Sequence, residues 1–127
     1  MKEARNPESI HAPVGPYSHQ IEVSGEQRWL VMAGQVGMAR DGQAPDDAAA
    51  QFGVALDNVL ANLAAAGMTA ADLVKLTFYV TEDVSREDRG RLLAERLGTH
   101  RPAMTFLFVP QLAAPHLKVE IDAWACA

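Results

Sequence analysis

Apolar positions along this chain recur with two periods, and the changes of period mark the elements. Tyr17, His19, Ile21 and Val23 fall on alternate positions, which predicts a strand ending at the turn Ser24-Gly25-Glu26. Residues 29–36 predict a second strand with Gly34 inside it, and a glycine there marks a bulge or a close backbone approach. Arg40-Asp41-Gly42 turns the chain. The period then lengthens. Phe52, Leu56, Val59, Leu60 and Leu63 make one helical stripe, with Asp46 and Asp47 at its positive end and Gly67 as its stop. Alternation returns over residues 73–81, where Val74, Leu76, Phe78 and Val80 face the helix. Ser85 caps a second helix, with Asp88 as its capping-box partner, and its apolar residues Leu92, Leu93 and Leu97 come late, before Gly98. Two more strands are expected over residues 103–109 and 117–126.

The resulting order, β-β-α-β-α-β-β, describes a single α+β domain over residues 1–127: one mixed sheet with two helices on one face. The last strand has an apolar side, Leu117, Val119, Ile121, Ala123 and Ala125, and a mixed side, Lys118, Glu120, Asp122 and Trp124. The strand before it is apolar on both sides, Met104, Phe106 and Phe108 against Ala103, Leu107 and Val109. Two helices cover only one face. An uncovered patch holding Phe106 and Phe108 is therefore expected to pack against copies of the same chain.

Composition narrows the function classes. The chain is 127 residues long, 49% hydrophobic and 21% charged, with a formal net charge of -5. That acidity argues against a partner bound through its phosphate backbone. Arg86, Arg89, Arg91 and Arg96 do cluster, but they are interleaved with Glu87, Asp88 and Glu95 and read as a solvated helix face. His11, His19, His100 and His116 show no paired metal-ligand spacing, so no metal site is expected. The lone Cys126 rules out an intrachain disulfide and fits a reducing compartment. With no membrane-length apolar run and no signal-peptide pattern, the expectation is a cytoplasmic protein without a membrane or nucleic-acid partner.

Four motifs in register resemble the Rid superfamily, the YjgF-like reactive intermediate deaminases also known as endoribonuclease L-PSP. They are Gly15-Pro16-Tyr17-Ser18, Ala33-Gly34-Gln35, Pro102-Ala103-Met104-Thr105 and Val119-Glu120-Ile121-Asp122-Ala123. The resemblance covers nearly the whole chain. It implies a chorismate-mutase-like fold, a homotrimer with a small-molecule cleft between subunits, and hydrolysis of 2-imino acids to 2-keto acids and ammonia without cofactor or metal. It also implies roles: Glu120 as the catalytic residue that places and activates water, and Tyr17, Gly34, Met104 and Phe106 as substrate-binding positions. Four positions depart from the family pattern. Met104 stands where an arginine grips the substrate carboxylate, Ala33 where a serine is common, Phe106 where a small cysteine is common, and Gly90 where an asparagine is common. A thioether cannot make the charge-assisted pair that a guanidinium makes, so these changes imply a more apolar pocket and cast doubt on 2-imino acids as substrates. Arg101 is the nearest replacement cation, but a strand neighbour points to the opposite face.

The residues alone leave each role open. Tyr17 reads as a pocket hydroxyl or as an amphipathic residue beginning a strand. Glu120 reads as a base or as a solvated interfacial carboxylate, and Gly34 as structural or ligand-facing. Met104 and Phe106 read as packing residues or as contacts to an apolar ligand. Three functions follow: an imine or enamine hydrolase, a non-catalytic small-molecule-binding trimer, and a protein-interaction or chaperone-like trimer.

Overall fold

The computed structural model describes residues 1–127, and its elements run β1 (Lys2–Arg5), β2 (Gln20–Val23), β3 (Trp29–Val31), β4 (Gln35–Val36), α1 (Ala48–Ala65), a short 3-10 turn (Ala70–Asp72), β5 (Leu73–Val80), α2 (Arg86–Leu97), β6 (Ala103–Phe108) and β7 (Val119–Cys126). The main sheet has the order β3-β7-β5-β6, with β4 also pairing β7. Only β5 and β6 are parallel, so the sheet is mixed, and α2 is the crossover that a parallel pair requires. Both helices lie on one face, as the apolar pattern predicts.

The helices begin and end where their sequence directs. The Asp47 carboxylate accepts from the Ala50 N–H at 2.9 Å, and the Ser85 hydroxyl accepts from the Asp88 N–H at 3.0 Å, so both first turns have a capped donor. The Asp88 carboxylate does not close a capping box; it pairs with Arg91 at 3.0 Å instead. The chain leaves α2 at Gly98 with φ +58°, a conformation glycine adopts without strain.

The N-terminal region departs from the expected pattern. Residues 17–19 do not join a strand, because their polar groups are engaged elsewhere. The Ser18 N–H donates to the Pro102 carbonyl, the Ser18 hydroxyl to the Arg101 carbonyl, and the His19 N–H to the Asn6 side chain. What remains, β2, pairs with β1 in a separate two-stranded ribbon. The ribbon is pinned by Lys2, whose ammonium reaches the Cys126 carbonyl at 2.6 Å and Asp72 at 3.2 Å.

The predicted strand over residues 29–36 is broken into β3 and β4, which pair with the same neighbour. Val31 faces Trp124 and Gln35 faces Ile121, so four steps of one chain match three of the other and one residue is extra. Gly34 lies in that bulge. A second irregularity, between Leu73 and Lys75, brings Leu73 into the core and leaves Val74 only half-buried.

The core fills the space between the helices and the covered face of the sheet. Phe52 of α1 stacks on Phe78 of β5 at 5.3 Å, and Leu56, Leu76, Val80, Ile121 and Ala123 close around them. Met104 and Phe106 stand beside Leu76 and Phe78 on this same face and pack against the core. This corrects the expectation that Phe106 lies on the uncovered side. Only Phe108, at the strand end, is strongly exposed, and it remains edge-to-face with Phe106. The open face carries Lys75, Thr77 and Tyr79 of β5, Thr105 and Leu107 of β6, and Glu120, Asp122 and Trp124 of β7. At its β3 edge Trp29, Val31 and Trp124 are 50%, 58% and 47% exposed. No helix is long and apolar enough to cross a membrane.

Candidate functional site

The predicted site residues divide between the two faces of the sheet. Tyr17, Met104 and Phe106 line a cavity of about 390 Å³ on the helix side. Glu120 and Gly34 line an open cleft of about 430 Å³ on the other side. Within one chain the two groups do not meet.

The cavity lies between α2, β6 and the loop before β2. Its inner walls are Phe52, Phe78, Leu93, Met104 and Phe106. The Gly15-Pro16-Tyr17 turn forms a third wall, where the Tyr17 hydroxyl accepts the Val14 N–H at 3.2 Å and keeps its own proton available to donate. Arg86 holds this loop by donating to the Val14 carbonyl. Gly90 leaves the α2 wall without a side chain. Beside it stands Arg89, whose guanidinium carbon lies 4.2 Å from the centroid of the Phe106 ring, a cation–π geometry. No carboxylate or imidazole lines the cavity.

Arg86 and Arg89 line the cavity, which corrects the expectation that the arginines of α2 form only a solvated face. The signal was in the spacing. Arg89 precedes Leu92 and Leu93 by three and four residues and so shares their inward face; Arg96 follows them by the same spacing but pairs with Asp57 of α1, and Arg91 lies on another face and pairs with Asp88 and Glu95. Arg101 does not substitute for the strand arginine. Its guanidinium binds the carbonyls of Gly98 and His100 at 2.9 and 3.1 Å, and it does not line the cavity.

In the open cleft the bulge brings the backbone of Gly34 against Glu120. A Cβ at position 34 would come within 2.7 Å of the Glu120 carboxyl carbon and 2.9 Å of its Cγ, so any side chain there displaces the Glu120 carboxylate from this position. The half-buried Glu120 carboxylate has neither a hydrogen bond nor an ion pair. Beside it the Tyr79 hydroxyl donates to Asp122 at 3.0 Å. That bond, followed by burial and the negative charges of Asp122 and Glu120, raises the Tyr79 pKa above its usual value. The loop Gln111-Leu112-Ala113 closes one side. Sequence patterning did not single out Tyr79, Asp122 or this loop, because a polar residue on an alternating strand reads as ordinary solvent exposure. The histidines make local bonds, His19 to the His11 carbonyl and His100 to the Leu73 carbonyl, each at 2.8 Å. No group of three or more His, Cys, Asp or Glu side chains converges as a metal site would.

The sequence profile of the endoribonuclease L-PSP family matches residues 8–127. The chain belongs to the endoribonuclease L-PSP, or Rid, family. A RutC family protein of Pyrococcus horikoshii is 32% identical over 127 residues, 98% of each chain. The 2-iminobutanoate/2-iminopropanoate deaminase of Escherichia coli is 34% identical over 76 residues, which is 59% of this chain and 57% of that enzyme. The crystal structure of a Rid family protein of unknown function from Yersinia pestis is similar with a TM-score of 0.86 and 34% identity, over 99% of this chain and 98% of that one. The Rid-family chain thus shares its whole fold with the Yersinia pestis protein. Its own pocket carries a guanidinium on a helix and a thioether on the strand.

Proposed function

We propose that the protein hydrolyses a small imine or enamine in clefts that two copies of the chain complete within a homotrimer. The observation that carries this reading is the division of the site. The cavity beside Arg86 and Arg89 is cationic and apolar, and the cleft of Glu120 and Asp122 on the opposite face is anionic and open. A head-to-tail contact sets the cavity of one copy against the cleft of the next, and such a contact closes into a three-membered ring when each copy is turned by a third of a circle. Exposed Trp29, Val31, Leu107 and Trp124 supply apolar surface for it. The likeness to the Escherichia coli deaminase supports the reaction class.

In this arrangement Tyr17 and the cavity walls hold the substrate of one copy. The unpaired carboxylate of Glu120 from the next copy takes a proton from water as its oxygen adds to the C=N carbon. Glu120 returns that proton to the nitrogen, and the carbinolamine so formed passes its hydroxyl proton to the nitrogen as it expels ammonia and leaves the carbonyl product, with no external oxidant or reductant. Gly34 leaves the space in which Glu120 lies.

A binding role without turnover is the second reading, favoured by the absence of any carboxylate or imidazole from the cavity lining. The test is hydrolysis of a freshly generated 2-imino acid, followed by carbonyl product, for the natural protein and Glu120→Gln. Turnover reduced roughly a hundredfold or more by the substitution is expected. Turnover unchanged in Glu120→Gln removes Glu120 from the mechanism. Binding of small molecules without turnover selects the second reading, and a monomer in light scattering at micromolar concentration refutes the shared cleft.

A further inference from the structure

Of the arginines on α2, Arg91 and Arg96 pair with acidic side chains and Arg86 is tied to the Val14 carbonyl. Arg89 alone has no partner. Its guanidinium makes no hydrogen bond and no ion pair, and its Nε is fully buried with nothing to donate to. A buried donor in that state is costly, and the terminal nitrogens, equally without a partner, are the ones left to receive one.

The surroundings of the guanidinium define what completes it. Phe106 packs against it from one side, with the guanidinium carbon 4.2 Å from the ring centroid. A flat fork of donors held in this way matches a carboxylate, which accepts two parallel hydrogen bonds. Beyond the fork the walls are Phe52, Phe78, Leu93 and Met104, with Tyr17 and Arg86 at the loop side and no acid to repel an anion. One negative charge with an apolar body fits these walls. At about 390 Å³ the cavity is of ligand-binding size and accommodates an aromatic or branched body.

We infer that this cavity binds a monocarboxylate with an apolar, aromatic-sized tail, and that Arg89, presented by α2, holds the carboxylate. The inference rests on the proposed hydrolytic site for its link to turnover, and binding tests it independently. Met104, on the opposite wall, then contacts the tail rather than the carboxylate. The substrate class of the proposed reaction narrows accordingly to imines or enamines of acids with a large apolar side chain.

The experiment is calorimetric titration of the full-length protein with phenylacetate and with its neutral counterpart 2-phenylethanol, for the natural chain, Arg89→Met and Arg89→Lys. Light scattering and circular dichroism accompany each variant. Phenylacetate is expected to bind the natural protein more tightly than the alcohol by about tenfold or more. Arg89→Met, which keeps the apolar stem, erases that preference, and Arg89→Lys restores part of it. Equal affinity for the two compounds in the natural protein overturns the inference; it is also the result expected if Arg89 is paired with a carboxylate of a neighbouring copy. A preference that survives in folded Arg89→Met overturns it as well. Should Arg89→Met fail to fold, the contrast in the natural protein and its change in Arg89→Lys decide the matter. Preference for phenylacetate without turnover of any imine sinks the hydrolase reading and leaves this one standing. Turnover without the preference does the reverse.

Discussion

Leu76, Phe78 and Ile121 point to one face of β5 and β7, and Thr77, Tyr79, Glu120 and Asp122 to the other. The first set is buried under two helices. The second is half-exposed and linked across strands by contacts such as Lys75 to Thr105 at 2.7 Å and Tyr79 to Asp122 at 3.0 Å. Neighbouring residues of the same strands thus serve separate ends. The covered face determines whether the chain folds. The open face makes little demand on the folded monomer and is free to carry a carboxylate, a bulge and exposed tryptophans.

Substitutions at matched positions can break that contrast. The largest effect is expected for Ile121→Ala, which opens a cavity in the fully buried layer and should cost about 2–5 kcal/mol in chemical denaturation. Gln51→Ala comes next. Gln51 is fully buried. It donates to the carbonyls of Pro45 and His116 at 2.7 and 3.0 Å and accepts from the Lys118 N–H at 2.7 Å, so its removal orphans three groups at once. A loss of about 1–3 kcal/mol is expected by the same measurement. On the open face Trp124→Asp should change monomer stability by only about 0.5 kcal/mol while lowering the mass seen in light scattering. If it destabilises as much as Ile121→Ala and leaves the mass unchanged, the division between the faces is wrong. The smallest effect belongs to Tyr79→Phe. The folded chain holds the Tyr79 proton more tightly than the unfolded chain does, so its contribution is complete below pH about 10 and lost as pH rises through the higher folded value. A pH titration of the melting temperature should show that alkaline loss in the natural protein and its absence in Tyr79→Phe.

The covered face was the legible one. Spacing alone located both helices, Ser85 as a cap and the strand sides bearing Phe78 and Ile121, because burial imposes a period that few sequences imitate. Gly34 was legible as a bulge or close approach, though its neighbour Glu120 was not, since that contact depends on register across strands. β1 was invisible: Lys2-Glu3-Ala4-Arg5 carries no apolar alternation, and pairing with β2 and the bonds of Lys2 hold it in place. Phe106 was assigned to the wrong face because a strand with two apolar sides gives no phase. Arg89 was hidden among charges that sequence proximity made look alike. Its spacing from Leu93 places it on the inward face, as that of Arg96 does, and what separates the two lies on distant elements: Asp57 of α1 for Arg96 and the ring of Phe106 for Arg89.

The late placement of apolar residues in α2 has a kinetic consequence. Leu92, Leu93 and Leu97 anchor only the second half of the helix, and none of the residues from Arg86 to Arg91 is fully buried. The front turns are retained by the Ser85 cap and by side-chain contacts at the cavity rim. Amides there should exchange with solvent through small local openings well before the amides of β5 do. Those turns carry Arg89 and Gly90, so the same fraying that exposes their backbone unlatches one wall of the cavity. A guest that engages Arg89 would therefore be expected to slow the exchange of these amides.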